Sequence, residues 1–332
     1  MPTEEQTVKA EERSLVINID NLPHCDTMDA KDLVNPDRSS IWTKHCYGED
    51  LSIRVAGRNG GYHSSPHIHD SEQLNFCADG EMWIYVENDG YRLRKGDLMR
   101  VPRNLVHWAW NRSDKPCVLY ESNAPGNIGA PRVRDTAGPL FRSNEPLPTG
   151  RYPMVSWLST EYAEKAEKGN RPSVDGRLIA HFDEVKDSLH EIVSQGGFRS
   201  KYVYGLESSF LVATQDPGCR LRPHLHGCEQ LMHLISGELW VFFPDEAYHL
   251  HKGDFMRVPR LTPHWSWNSG SKPCELFEAH APLLDPSEAE HGKALLADEE
   301  AGIPLKSART FWSPRNLVER ENELMRRSSN AA

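Results

Sequence analysis

The chain has 332 residues, 38% of them hydrophobic and 26% charged, which suffices for two domains of ordinary size, each with its own core. A formal net charge of -10 and no sustained Lys/Arg block exclude wrapping around nucleic acid or lying on anionic lipid, so a small molecule is the expected partner. The seven cysteines are scattered without a CxxC pair, which gives no support to a disulfide framework or a thiolate zinc site.

Residues 1 to 14 are charged and acidic, unlike a secretory signal, and read as a disordered lead-in to a cytoplasmic protein. No run of 18 apolar residues follows, so no membrane span is expected. Residues 47 to 125 then return as 204 to 282 at a constant offset of 157, with about 36 of 79 positions identical and no gap. Within each copy apolar residues alternate in short runs, "EMWIYV" at 81 to 86 and "ELWVFF" at 238 to 243, between Gly, Asp, Asn and Pro turn signals. Such spacing predicts a mainly β chain of two tandem jelly-roll barrels, over 15–125 and 196–285. The Gly/Pro-rich stretch from 126 to 195 is the connector, with helices expected near 157 to 168 and 182 to 194. Residues 286–332 form a C-terminal helical arm, its segments opening on Asp285 and on Ser313 followed by Pro314.

The two copies share a constellation suited to metal binding. "PHIHDSEQ" carries His67 and His69, and on a strand the i, i+2 period puts them on one face with Gln73, while Glu72 points to the other. His107, in "VPRNLVHWAWN", follows a turn that lets a neighbouring strand bring it back to the pair. The same count in the second copy selects His224, His226, Gln230 and His264. Three neutral imidazoles and one amide oxygen make a site for a divalent first-row metal with open positions for water, oxygen or substrate. A glutamine in place of a carboxylate leaves the ion's double charge undiminished, which favours anionic chelating substrates.

The spacing of Gly61, His67, His69, Gln73 and Gly80, then Gly96, Pro102, Asn104, His107 and Asn111, repeated from Gly218 to Asn268, resembles the two motifs of the cupin superfamily in both halves. The chain therefore looks like a bicupin. The resemblance implies a double-stranded β-helix barrel in each half and two metals per chain, one at each ligand set. Two departures stand out: glutamine replaces the family's usual glutamate ligand, and the second motif's glycine is Asn104 in one copy and Leu261 in the other. The ligand set favours Fe(II) and is compatible with Mn, Ni, Cu or Zn.

The copies diverge on the face that parity assigns to the pocket. His63, Ser65, Asn75 and Cys77 there become Arg220, Arg222, Met232 and Leu234, and Asn123 becomes His280. Arg220 and Arg222 are the candidates for gripping a substrate anion, and His63 or His280 for moving a proton. Arg100, Arg103, Arg257 and Arg260 recur in both copies and read as structural ion pairs, and the Trp108/Trp110 and Trp265/Trp267 pairs as packing, consistent with a homodimer. The leading functional expectation is an iron-dependent dioxygenase acting with O2 on a small enol, phenol or keto acid. The rivals are a non-redox isomerase, tautomerase or decarboxylase, and a binding protein in which metal stiffens the barrel.

Overall fold

The computed structural model describes residues 15–22, 41–125 apart from 65, 68, 70, 87, 88 and 104, residues 179–181, 183 and 185, 193–282 apart from 206, 295–296 and 314–331. They form two compact units, one of residues 23–185 with 205–208, the other of residues 1–22, 186–204 and 209–332. Both are built of antiparallel strands, as the alternating pattern predicts.

In the first unit a six-stranded sheet runs in the order Ile179–His181, Asp97–Val101, Glu72–Asp79, Cys117–Ala124, Ser52–Arg58 and Ile41–Tyr47. A three-stranded sheet of Asp89–Arg94, Glu81–Val86 and His107–Trp110 completes it. The period of two is visible in Glu81–Val86. Met82, Ile84 and Val86 enter a core with Leu93, Met99, Val101 and Leu119, while Tyr85 on the other face stacks on Trp108 at 4.9 Å. Gly80, the single residue between Glu72–Asp79 and Glu81–Val86, sits at φ 74°, and a Cβ there would meet the Pro116 carbonyl oxygen at 2.3 Å, so both conformation and space require glycine.

The second unit repeats this plan. Its six-stranded sheet is ordered Val16–Asn18, Asp254–Val258, Glu229–Ser236, Cys274–Ala281, Ser209–Gln215 and Phe198–Tyr204. A second sheet runs Val193–Gln195, Arg220–Leu221, Trp265–Trp267, Glu238–Phe242 and Ala247–His251. Here Leu239, Val241 and Phe243 fill the core. Trp240, Phe242 and Trp265 face outward and are covered by Leu317, Leu324 and Met325 of the C-terminal helix Pro314–Ala331. Those three recur at i, i+7 and i+8, one stripe of a helix whose other faces are charged. Among the described residues no helix is long and apolar enough to cross a membrane.

Several expectations change in detail. Val16–Asn18, grouped by sequence with the first copy, pairs with Asp254–Val258 of the second. The connector supplies edge strands instead: Ile179–His181 pairs with Asp97–Val101, and Val193–Gln195 is a strand where a helix to 194 is expected. Of the segment opening at Asp285, only Leu295–Leu296 is described, and it pairs with His224–Leu225. Pro314 does open a helix. Residues 1 to 14 and the helix near 157 to 168 lie outside the described residues.

Candidate metal centres

In each unit the HxH segment and the returning histidine are joined by the backbone. His67 and His107 exchange two N–H···O bonds of 2.9 Å, and His224 and His264 exchange bonds of 2.9 and 2.8 Å. This narrow pairing brings the rings together: His67, His69 and His107 have centroids 4.4 to 4.9 Å apart, and His224, His226 and His264 lie 4.3 to 5.2 Å apart. In each trio one nitrogen per ring lies within 4.8 Å of the others, a spacing that a single ion can close.

The tautomers fit metal binding. Nδ1–H of His107, His224 and His264 donates to the carbonyls of Leu105, Arg222 and Thr262 at 2.9, 2.7 and 2.9 Å, which leaves Nε2 as a lone pair. The Nε2 atoms of His69, His107 and His264 are buried without a hydrogen-bond partner, a costly arrangement unless a ligand is bound. Burial first, and then neighbouring imidazoles, hold His69, His107 and His226 well below the usual histidine range and His264 at about 3, so the rings are neutral near pH 7. The residues present thus fit a divalent first-row ion in both units.

The fourth candidate ligand separates the centres. Gln73 donates to Asn75 Oδ1 at 2.7 Å, and its carbonyl oxygen is approached by Asn123 Nδ2 at 3.5 Å. Gln230 Oε1 is buried with no partner, because the amide group bonds through its nitrogen to Glu278. Around this second centre lies a cavity of about 30 Å³, lined in part by Phe198, Leu221, Met232, Glu278 and His280. That is room for about two water-sized groups, since one needs ~10–15 Å³.

Glu278 was not singled out in the sequence, and it is the residue that sets the second centre apart. Its counterpart Glu121 is buried between Arg54 and Arg58, the latter at 2.7 Å. At the positions of those arginines the second copy has Leu211 and Gln215. Desolvation without that compensation raises Glu278 to about 7, opposed by the hydrogen bond from Gln230. His280 Nε2 lies 3.9 Å from its carboxylate, and burial lowers the His280 pKa to about 4. The signal was readable: a glutamate kept in both copies while its cations were lost from one.

The structure turns three of the predicted pocket residues elsewhere. His63 pairs with Trp110 and His67 with His107, so four residue steps on one strand span three on the other. Arg220 and Trp267, against His224 and His264, show the same excess. One extra residue reverses the alternation, and parity counted back across it fails. His63 therefore stacks on Trp110, centroids 4.6 Å apart and planes within 3°. Arg220 lies 3.9 Å over the Trp267 ring and pairs with buried Glu321 of the C-terminal helix, while Leu221 takes its place in the pocket wall. Arg222 is exposed and serves through its backbone carbonyl. The expected anion grip by Arg220 and Arg222 is thus absent from these contacts. Cys77 and Leu234 are core residues, Asn75 holds Gln73, and Ser65 lies outside the described residues. Arg100 and Arg257 form the expected ion pairs, with buried Glu72 and Glu229, and Trp108 and Trp265 are fully buried.

Asn104 also lies outside the described residues. Leu261 adopts φ 54°, and its N–H donates to the His226 carbonyl at 2.7 Å, so the turn that lost its glycine still closes on a metal-ligand candidate.

The cupin domain model matches residues 57–122 and 211–280. No curated protein matches the sequence. Among solved structures, the chain is similar to AerE from Microcystis aeruginosa at 13% identity and TM-score 0.56, over 81% of this chain and 100% of that one. An oxalate decarboxylase formate complex from Lactobacillus farciminis aligns at 14% identity and TM-score 0.57, over 82% of this chain and 87% of that one. An oxalate decarboxylase from Bacillus subtilis with Mn(II) centres aligns at 14% identity and TM-score 0.57, over 81% and 77%. At these identities the likeness speaks for the fold. With the family model matched once in each half and the motif histidines gathered in both units, the chain carries two cupin domains.

Proposed function

We propose that the second centre is the working site of a metal-dependent enzyme that shifts a proton on, or removes carboxylate from, a small chelating organic anion. The observation that carries this reading is the buried Glu278 carboxyl, poised at about 7 beside Gln230 and His280. A divalent ion on His224, His226, His264 and Gln230 Oε1 would polarise a substrate oxygen and stabilise negative charge developing next to it. Glu278 supplies what such a reaction further needs, a group that takes and returns a proton near neutral pH. His280 stays neutral, and its Nδ1, without a partner, can accept a hydrogen bond from substrate or water. Phe198, Leu221 and Met232 keep the reacting end of the substrate out of bulk water, which strengthens these electrostatic contacts. The small cavity restricts that end to a few atoms, such as a carboxylate with an adjacent keto or enol oxygen. Oxalate decarboxylases, including one with Mn(II) centres, share the fold and support both a lyase and Mn(II) as first choices to test.

A dioxygenase acting on an enol, phenol or keto acid is the second reading, favoured by ligand sets free of carboxylate. The two separate under strict anaerobiosis with Mn(II)- or Fe(II)-loaded protein and a panel of keto acids and dicarboxylates. Full turnover without O2, read as CO2 release or as deuterium incorporation from solvent, is the expected result; turnover that stops without O2 and matches its uptake one for one overturns it. His224→Ala should abolish activity while His67→Ala retains most of it, and equal losses would reject the second centre as the working one.

A further inference from the structure

Outside both imidazole trios, the hairpin Glu238–Phe242 and Ala247–His251 carries a third group of ligating side chains. His249 and His251 are i, i+2 neighbours and share a face, and Glu238 lies directly opposite His251 in the register. Their rings are 4.4 Å apart, and Glu238 Oε2 is 3.5 Å from His249 Nε2, too long for a good hydrogen bond. One ligand atom from each of the three lies within 4.8 Å of the others. His249 Nε2 is itself shielded from solvent and has no hydrogen-bond partner, and the ring is held by stacking on Trp240 at 4.4 Å with planes 4° apart. Burial, followed by His251, lowers the His249 pKa, which leaves its lone pair available at neutral pH.

We propose that Glu238, His249 and His251 form a divalent-cation site of the two-histidine, one-carboxylate kind, taking Zn(II) or another imidazole-preferring ion such as Cu(II) or Ni(II). The first copy shows what the same positions do without a metal. There they are Glu81, Arg92 and Arg94, and Arg92 Nη2 pairs with Glu81 Oε2 at 2.6 Å. In the second copy both arginines are replaced by histidine while the glutamate is retained, so a salt bridge across a hairpin has become a set of three neutral or anionic donors. Metal bonds of ~2.0–2.2 Å need donors roughly 3.4 Å apart, and the half-exposed His251 and Glu238 side chains are free to close that gap while Trp240 fixes His249. A fourth position remains for water or an external ligand.

The test is Zn(II) stoichiometry on the full chain by equilibrium dialysis and elemental analysis, comparing wild type with the double variant His249→Arg/His251→Arg. That variant installs the first copy's residues and should restore an arginine–Glu238 ion pair, so the hairpin is kept. Wild type is expected to hold one Zn(II) per chain more than the variant, whatever the two imidazole trios contribute, which keeps this result independent of the proposed reaction. Glu238→Gln should weaken that one equivalent at least tenfold. Cu(II) should quench tryptophan emission in wild type through Trp240 and do so less in the double variant. Equal stoichiometry in wild type and a double variant with an unchanged circular dichroism spectrum overturns the site, as does loss of the equivalent with no effect of Glu238→Gln.

Discussion

Glu121 and Glu278 occupy the same place in the two copies and do opposite things. The first is a buried anion held between Arg54 and Arg58. The second has lost both cations, is pushed toward neutrality, and lies in the wall of a cavity beside an imidazole trio. A duplicated fold thus keeps one side chain as a paired anion in one half and leaves it without cations in the other, where the proposed function gives it a proton to carry, by changing its partners and leaving the residue itself alone.

The sharpest way to break that comparison is to neutralise both. Glu278→Gln is expected to cut turnover 10²- to 10⁴-fold, the range of a lost general acid or base, with metal content and melting temperature little changed. Glu121→Gln should leave turnover near normal in the folded fraction but destabilise the protein by about 3–5 kcal/mol in denaturant titration, because Arg54 and Arg58 lose the buried carboxylate they share. If both variants lose activity alike with stability intact, the division of labour fails.

A second contrast lies one strand residue pair away, where Phe76 of the first copy is matched by His233, stacked on Phe255 at 4.1 Å. Burial lowers the His233 pKa to about 4, against a backbone hydrogen bond with Asp254 that raises it. A depressed pKa means the unfolded chain gains a proton as pH falls below about 6.5 while the folded chain does not, until about 4. His233→Phe should therefore remove up to about 3 kcal/mol of acid sensitivity across that window and change nothing attributable to this group at pH 8. Thermal unfolding of both proteins at pH 4.5 and 8 measures it; a variant gap independent of pH would show that packing, and not titration, decides.

The smallest effect concerns Leu261, which holds a left-handed conformation where the family motif has glycine. Leu261→Gly should stabilise by about 1 kcal/mol at most, since relief of strain is offset in part by the greater entropy of the unfolded chain. Destabilisation instead would mean that the half-exposed leucine side chain packs usefully.

The tandem repeat, its strands and the six histidines that gather into two trios were legible because they follow an unbroken offset of 157, alternation, and His-x-His. The failures came where a rule is interrupted. A single extra residue between Ser64 and His67 reverses which side chains face inward, and nothing in "HSSPH" or "RLRPH" announces it. Arg220 was further diverted by Glu321, a partner 101 residues away on a helix whose docking depends on the outward aromatics of the second copy. Glu278 needed a different comparison, of neighbours across copies in place of residues at one position.

The pairing of Val16 with Met256 has a bearing on biosynthesis. The strand Val16–Asn18 must wait for about 240 further residues before its partner emerges, a long-range closure of the kind that slows folding. Between its own synthesis and that pairing, the Asp254–Val258 edge offers open backbone donors and acceptors to any passing strand. Trimming the chain past Asn18 would make that interval permanent, and the shortened protein should collect as aggregates during expression.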